Sequence, residues 1–383
     1  MSKKILFVLH DAERMGAPMV MLHFITWIKQ NTDTEVTMLL KSGGALQPEF
    51  EKLGKIYSWR PGLPSPALGI RIATALRRRL GKGDLYIPYP EALKKQKFDL
   101  VYLNTADTLS LAPMLKAYYG CPVFAHIHEL SYSLQAFFPD ALSAQHTAVI
   151  DHFIAASKSV KENLVTNVRI DTEKVAVFNE FIRVGEITKP TMASASMKHM
   201  LGIESCFVVG AAGQTGWRKG TDIFMQVARQ VNRLVPENDI RFIWVGSQTA
   251  ETKAQVDYEI EKLGLQHKVL FTGSKTSPQD YFQIFDLFLL TSREDPFPLV
   301  ALEAAALQKP IFCFKNTGGI PEIIGPQIGK TFDYGDVDSM AKGIIDAYQH
   351  EEALSKQGKK AAEMAQQFDV DVIAPQLFNF INR

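Results

Sequence analysis

The residues Thr291-Ser292-Arg293-Glu294-Asp295-Pro296-Phe297-Pro298-Leu299-Val300-Ala301-Leu302-Glu303-Ala304 combine types that can hold a phosphorylated ligand. A short apolar run ends at Thr291, a Pro-bearing loop follows, and a helical pattern opens at Pro298 or Leu299. Proline is pre-set for the first helical position. The freed backbone N–H groups of Leu299 and Val300 then point at an anion such as a phosphate. Glu303 lies little more than a turn further in, where a carboxylate can accept two hydrogen bonds from a ribose diol. For a single carboxylate the plainer reading is an acidic first turn that complements the helix dipole. That reading does not explain Pro-Phe-Pro or the spacing to Glu303.

Other segments carry compatible chemistry. Gly210-Ala211-Ala212-Gly213 ends an apolar run, and Trp217-Arg218-Lys219-Gly220 opens the next helical pattern. A lysine near a helix start is disfavoured by the dipole, so Lys219 points to an anionic ligand, and Arg218 can add a second charge. Val245-Gly246 and Phe271-Thr272-Gly273-Ser274 mark strand ends where backbone can approach a base, and Gly318-Gly319-Ile320-Pro321-Glu322 reads as a turn. In the first half, Met15-Gly16-Ala17 follows the first apolar run, and Gly16 lets the backbone approach a phosphate or an acceptor. His126-Ile127-His128-Glu129 ends another run, with 126 and 128 on one face of the strand. These histidines read either as structural residues or as groups that act on a substrate. No His-Glu-x-x-His occurs and no metal cluster stands out, so no metal site is expected.

These segments resemble the family-4 retaining glycosyltransferases of the GT-B fold, densely over 207–335 and thinly in the first half. That family's hallmark is an acidic residue, seven residues, and a Glu, here Asp295 and Glu303. Pro296 and Pro298 stand at its glycine positions, Met15 at the first of two glycines, and Gln214 where an Arg is common. The resemblance implies a nucleotide-diphosphate sugar donor, no metal or other cofactor, and retention of anomeric configuration. It implies His128 and Asp295 as catalytic residues. Gly16, Arg218, Lys219, Gly246, Ser274, Asp295, Pro296, Phe297, Pro298, Leu299, Val300 and Glu303 would bind the donor. The acceptor would be a glycan, a lipid-linked or a small molecule, in cell-surface polysaccharide or glycoconjugate synthesis. The alternatives are a non-catalytic nucleotide-sugar-binding partner subunit, or another GT-B sugar-nucleotide enzyme such as an epimerase or phosphorylase.

The elements that must position these residues follow an alternating rhythm. Short apolar runs such as Ile5–Leu9, Leu100–Leu103, Val123–Ile127, Phe207–Ala212 and Leu287–Thr291 are separated by helical patterns such as Pro18–Gln30, Leu109–Tyr119 and Thr252–Leu263. That order predicts parallel sheets covered on both faces. With 383 residues the chain is comfortable as two domains. The polar stretch 184–202 has no apolar strand and places the join. The expectation is α/β: two Rossmann-like parallel-sheet domains, 1–185 on the acceptor side and 186–369 on the donor side, facing across a cleft. Residues 370–383 would form a helix crossing back to the first domain.

A hydrophobic content of 46% and a charged content of 22% are those of a folded, water-soluble protein. The net charge of +1 gives no global field for nucleic acid. Residues 1–185 carry a net +5 and the remainder −4. Much of the basic excess lies in 61–97, where Arg71, Arg77, Arg78 and Arg79 belong to an amphipathic pattern. Such a pattern either lies on an anionic membrane or binds an acidic acceptor, or is a plain surface helix. Cys121, Cys206 and Cys313 are expected as buried free thiols in a reducing compartment. The location expected is cytoplasmic, with peripheral contact to the inner membrane face.

Overall fold

The computed structural model describes residues 2–59 and 89–383. The candidate acceptor or membrane residues Arg71, Arg77, Arg78 and Arg79 lie outside the described residues. The chain divides into two compact units. Unit 1 holds residues up to Ala155, Lys161–Val177 and Leu377–Arg383, and unit 2 holds Ala156–Val160 and Phe178–Gln376.

Unit 1 is built on seven parallel strands: β1 Lys4–Leu9, β2 Glu35–Leu40, β3 Lys55–Ser58, β4 Leu100–Asn104, β5 Val123–Ile127, β6 His152–Ala155 and β7 Val175–Val177. Their order is β3-β2-β1-β4-β5-β6-β7. Unit 2 has six: β8 Phe207–Ala212, β9 Ile240–Val245, β10 Val269–Phe271, β11 Leu287–Leu290, β12 Ile311–Phe314 and β13 Gly329–Phe332, ordered β10-β9-β8-β11-β12-β13. Both are doubly wound sheets whose strand order reverses beside the first strand, and ligands of such sheets bind at that switch point. It falls between β1 and β4 in unit 1 and between β8 and β11 in unit 2.

The central strands are buried along their whole length and are mostly apolar, as expected where helices cover both faces, with Asn104 and His126 the buried polar residues of β4 and β5. In unit 2, helix α4 (Thr221–Leu234) sends Phe224, Val227, Ala228 and Val231 into the core against Phe242 and Trp244. The Phe224 ring meets Trp244 edge-on at 5.2 Å. Truncating such a ring typically costs about 3–5 kcal/mol. In unit 1, helix α1 (Gly16–Asn31) places Phe24 against Tyr102, which in turn packs on Phe7. At the chain end Phe380 lies on Phe124 and Phe378 on Trp27.

Element bounds differ from expectation where local chemistry intervenes. The pattern Leu109–Tyr119 divides into a 3-10 segment over Ala106–Leu111 and helix α2 (Ala112–Tyr119). Pro113 has no N–H to donate one turn back, so a regular helix cannot run through it. Helix α5 (Ala250–Leu263) starts two residues before Thr252 because Thr249 and Thr252 form a reciprocal capping box. The stretch 184–202 contains two short helices, the single turn Val184–Ile187 and α3 (Ser194–Leu201). The division between units falls earlier, after Val177. There Phe181 and Ile182 are fully buried, and Ile182 pairs with Asp369.

Candidate functional site

In unit 2 the loops after β8 and β11 are stitched together at the switch point. Gly220 has φ +67, and a Cβ there would sit 2.0 Å from the Thr291 carbonyl oxygen. The Thr291 hydroxyl donates to the Gly220 carbonyl at 3.0 Å, and the Arg293 N–H to the Arg218 carbonyl at 2.8 Å. This brings Lys219 onto Asp295, Nζ to Oδ2 at 2.5 Å. The Ser292 hydroxyl donates to the same oxygen at 3.0 Å, and Arg218 Nη1 stands 3.6 Å from Oδ1. Burial pushes the Asp295 carboxyl up, but Lys219 and Arg218 outweigh it and hold its pKa below the ordinary value. Burial lowers the Lys219 pKa, and Asp295 opposes that shift. The two form a charged pair beside a second cation, with a net positive charge.

The Asp295 loop is backed by 317–319. Its N–H donates to the Thr317 carbonyl at 2.7 Å, and the Gly319 N–H donates to the Pro296 carbonyl at 2.8 Å. Gly318 has φ +136, and a Cβ on it would fall 1.7 Å from the Asp295 carbonyl oxygen. The pair of glycines is therefore required by close approach as well as by the turn. Glu322 in the same segment accepts from the backbone N–H groups of Lys158 and Ser159 at 3.1 and 2.7 Å, a role sequence reasoning missed.

Helix α6 (Leu299–Ala306) starts at this loop with Pro298 as its N-cap, no side-chain cap and no acidic residue in its first turn. Its N-terminal dipole is thus available to an anion. Pro296, Phe297 and Pro298 are buried, and the Phe297 ring packs on Phe368 at 5.4 Å. That side chain anchors the loop. Glu303 follows on α6, half-buried, and among the described residues no cation or donor engages its carboxyl, which burial alone raises to about 7. Gly246 sits with φ +157 at the end of β9, where a Cβ would be 1.9 Å from the Gly213 carbonyl. Its N–H donates to the Gly273 carbonyl at 3.1 Å, next to the exposed Ser274.

Unit 1 gathers a second set at the carboxyl ends of β4 and β5. Asn104 ends β4 in register with His126 on β5 and Leu9 on β1. His128 is half-buried, and its Nε2 lies 2.6 Å from Asn104 Oδ1. The His126 and His128 ring centroids are 4.0 Å apart. His126 is buried, with Nδ1 2.8 Å from the Tyr102 hydroxyl. Burial, with His128 beside it, keeps its pKa well below the ordinary range. The buried Glu129 accepts the His128 N–H at 2.9 Å and the Ala106 N–H at 3.2 Å on both oxygens. Burial raises its pKa despite these bonds. Lys41 pairs with Asp107 at 2.6 Å. Gly16 is exposed at the first position of α1, and a Cβ there would meet nothing within 4 Å.

Comparison with known proteins bears on the family and the fold. The sequence model of the family "Glycosyl transferases group 1" matches residues 201–364, and that of "Glycosyltransferase Family 4" matches 32–184. The chain is 29% identical over 168 residues to the alpha-galactosylglucosyldiacylglycerol synthase of Streptococcus pneumoniae, covering 42% of this chain and 43% of that protein. It is 21% identical over 266 residues to an Escherichia coli UDP-Gal:alpha-D-GlcNAc-diphosphoundecaprenol alpha-1,3-galactosyltransferase, covering 66% and 67%. The first of these matches thus spans less than half of its relative. The crystal structure of Anabaena Alr3699/HepE in complex with UDP-glucose superposes with a TM-score of 0.80 at 20% identity, over 99% of both chains. At that identity the likeness shows the fold, which is GT-B. Among the described residues no helix is long and apolar enough to cross a membrane.

Proposed function

The chain belongs to the family-4 glycosyltransferases, its two halves matched by that family's model and by the group 1 model, and from that premise we propose that it transfers a sugar from a UDP-sugar with retention of configuration. The observation that carries this reading is the cationic pair Arg218–Lys219 beside the uncapped N-terminus of α6, at the unit 2 switch point. Two cations and a helix dipole suit a diphosphate leaving group without a divalent metal. Glu303 takes the ribose diol, and Asp295 and His128 act on the sugar. Uracil is the base favoured because the E. coli relative is a UDP-Gal enzyme by name and the HepE crystal structure contains UDP-glucose, while the S. pneumoniae relative is a glycosyl-lipid synthase by name. Those relatives also make a lipid-linked acceptor the favoured class.

Calorimetry with UDP-glucose in EDTA tests the donor site. Micromolar to millimolar binding is expected, weaker with GDP-, ADP- or CMP-sugars. No binding of any of them would sink the reading. The pH dependence tests Glu303. A diol donating two hydrogen bonds favours the carboxylate, whose pKa in the free protein is about 7. Affinity should therefore rise with pH through 7, by about tenfold from pH 6 to 8. Glu303→Gln should bind more weakly and lose that slope. The stability sign is opposite. An acid whose pKa rises on folding costs stability as pH climbs from its unfolded value through about 7, so Glu303→Gln should be the more stable protein at pH 8. A slope unchanged in Glu303→Gln would assign the ribose contact elsewhere.

The basic residues Arg71, Arg77, Arg78 and Arg79 extend the proposal to an anionic membrane face that presents the lipid-linked acceptor. Each can add about 1 kcal/mol near such a surface. Co-sedimentation with phosphatidylglycerol vesicles at low salt should drop in an R77S/R78S/R79S protein, and equal binding would refute the contact.

A further inference from the structure

The end of β4 carries an unexplained cost. Thr105, a β-branched residue, has φ +77, a region such side chains rarely occupy. Conformations of this kind cost about 1–3 kcal/mol and persist only where surrounding contacts over-determine them. Three contacts do so here. The Thr105 N–H donates to the His126 carbonyl at 2.8 Å, the Ala106 N–H meets both oxygens of Glu129, and Asn104 Oδ1 lies 2.6 Å from His128 Nε2. The turn at Thr105 thus bolts the end of β4 to 126–129, and its product is a fully buried Asn104 side chain aimed at the imidazole.

The chemistry of that contact has one sense. The Asn104 amide nitrogen faces the Ala17 carbonyl at 3.5 Å, which leaves Oδ1 on the histidine side. An amide oxygen only accepts. Nε2 must then carry a proton whatever the charge of the ring. We propose that Asn104 is the positioning residue for His128: it holds Nε2 protonated, fixes the ring against the β4 end, and closes that nitrogen to proton abstraction. This deepens the role given to His128 above and rests on it. It limits the chemistry available, because a base at Nε2 is excluded and any contact of the ring with a sugar must use a fixed orientation. Among the described residues of unit 1, the titratable groups around the imidazole include His126 and Glu129 on its own strand end, His10 after β1, and Asp107 with Lys41 behind it.

The full chain labelled with nitrogen-15 histidine provides the test, the His128 signals being those lost in His128→Ala. In the wild type at pH 8.5, Nε2 should show the protonated shift. In Asn104→Ala it should move to a tautomer average, and release of UDP from UDP-glucose should slow by about tenfold with donor KM unchanged. Asn104→Asp keeps an accepting oxygen and should restore the protonated Nε2 signal. An unprotonated Nε2 in the wild type overturns the proposal without needing any variant, and so does an unchanged signal in Asn104→Ala. If the signals behave as expected while His128→Ala turns over normally, the positioning stands and the role of His128 in transfer falls.

Discussion

Replacing Lys219 by methionine is expected to lower turnover by about 10²–10³-fold. A preorganised positive group aimed at charge that develops on a leaving group is typically worth about 3–4 kcal/mol. Lys219 is the best-placed such group in unit 2, half-buried against Asp295 in the loop that leads into α6, with Arg218 adjacent. Its ion pair with Asp295 complicates any single substitution. Removing one partner of a buried pair leaves the other charge uncompensated, at a cost of about 3–5 kcal/mol in stability. Part of the lost activity in Lys219→Met would then be lost fold. The K219M/D295N protein separates the two effects. It removes both charges and should recover most of the stability. If Lys219 serves the diphosphate, its turnover should remain about 10²-fold below that of Asp295→Asn alone, and its UDP affinity should be the weaker. If Lys219 only neutralises Asp295, the double and single variants will turn over alike, and the leaving-group role is lost. The wild-type protein in EDTA answers the metal question, since turnover that collapses with chelator and returns with magnesium would transfer that role to an ion.

The parts of this arrangement that sequence discloses are those set by local pattern. Apolar runs flanked by turn residues mark β8 and β11, and Pro298 marks the start of α6 within a residue. Lys219 stands out because the dipole disfavours a cation at a helix start, and Glu303 because of its spacing from Asp295 across the Pro-bearing loop. The Lys219–Asp295 pair could not be read, because its partners are 76 positions apart and meet only when β8 and β11 become neighbours. Gly318 looks like a turn glycine until its distance to the Asp295 carbonyl is known. Asn104 carries no signal at all. A short polar residue closing an apolar strand is ordinary, and only the register β1–β4–β5 places it beside His128. The helix bounds at Ala112 and Ala250 were displaced by Pro113 and Thr249, both visible in the sequence but outweighed there by the longer apolar periodicity.

His128→Ala is expected to lower turnover by about 10²-fold while UDP affinity barely moves. A double displacement needs a carboxylate free to attack the sugar carbon from the face opposite the leaving group. The carboxylates at this end of unit 1 are committed elsewhere. Glu129 has both oxygens on backbone N–H groups, Asp107 holds Lys41, and Asp11 accepts the Glu13 N–H at 3.0 Å and faces His10. Retention would then proceed through departure of the diphosphate first. The acceptor enters on the same face, and its proton passes to the leaving phosphate. On this path His128 supplies a hydrogen bond to the sugar that strengthens as positive charge develops on the ring. An interaction made mainly in the transition state shows in kcat and in kcat/KM equally, with binding of the nucleotide untouched. Anomeric coupling constants of the product by NMR decide the stereochemistry. An inverted product would require a base at the acceptor hydroxyl, for which Nε2 of His128, held protonated by Asn104, is the wrong atom, and the same-face route would have to be abandoned. A His128→Ala protein that kept a near-normal rate would instead reduce the histidine to what Tyr102, His126 and Asn104 already make of it, a packed and hydrogen-bonded corner of the β4–β5 edge.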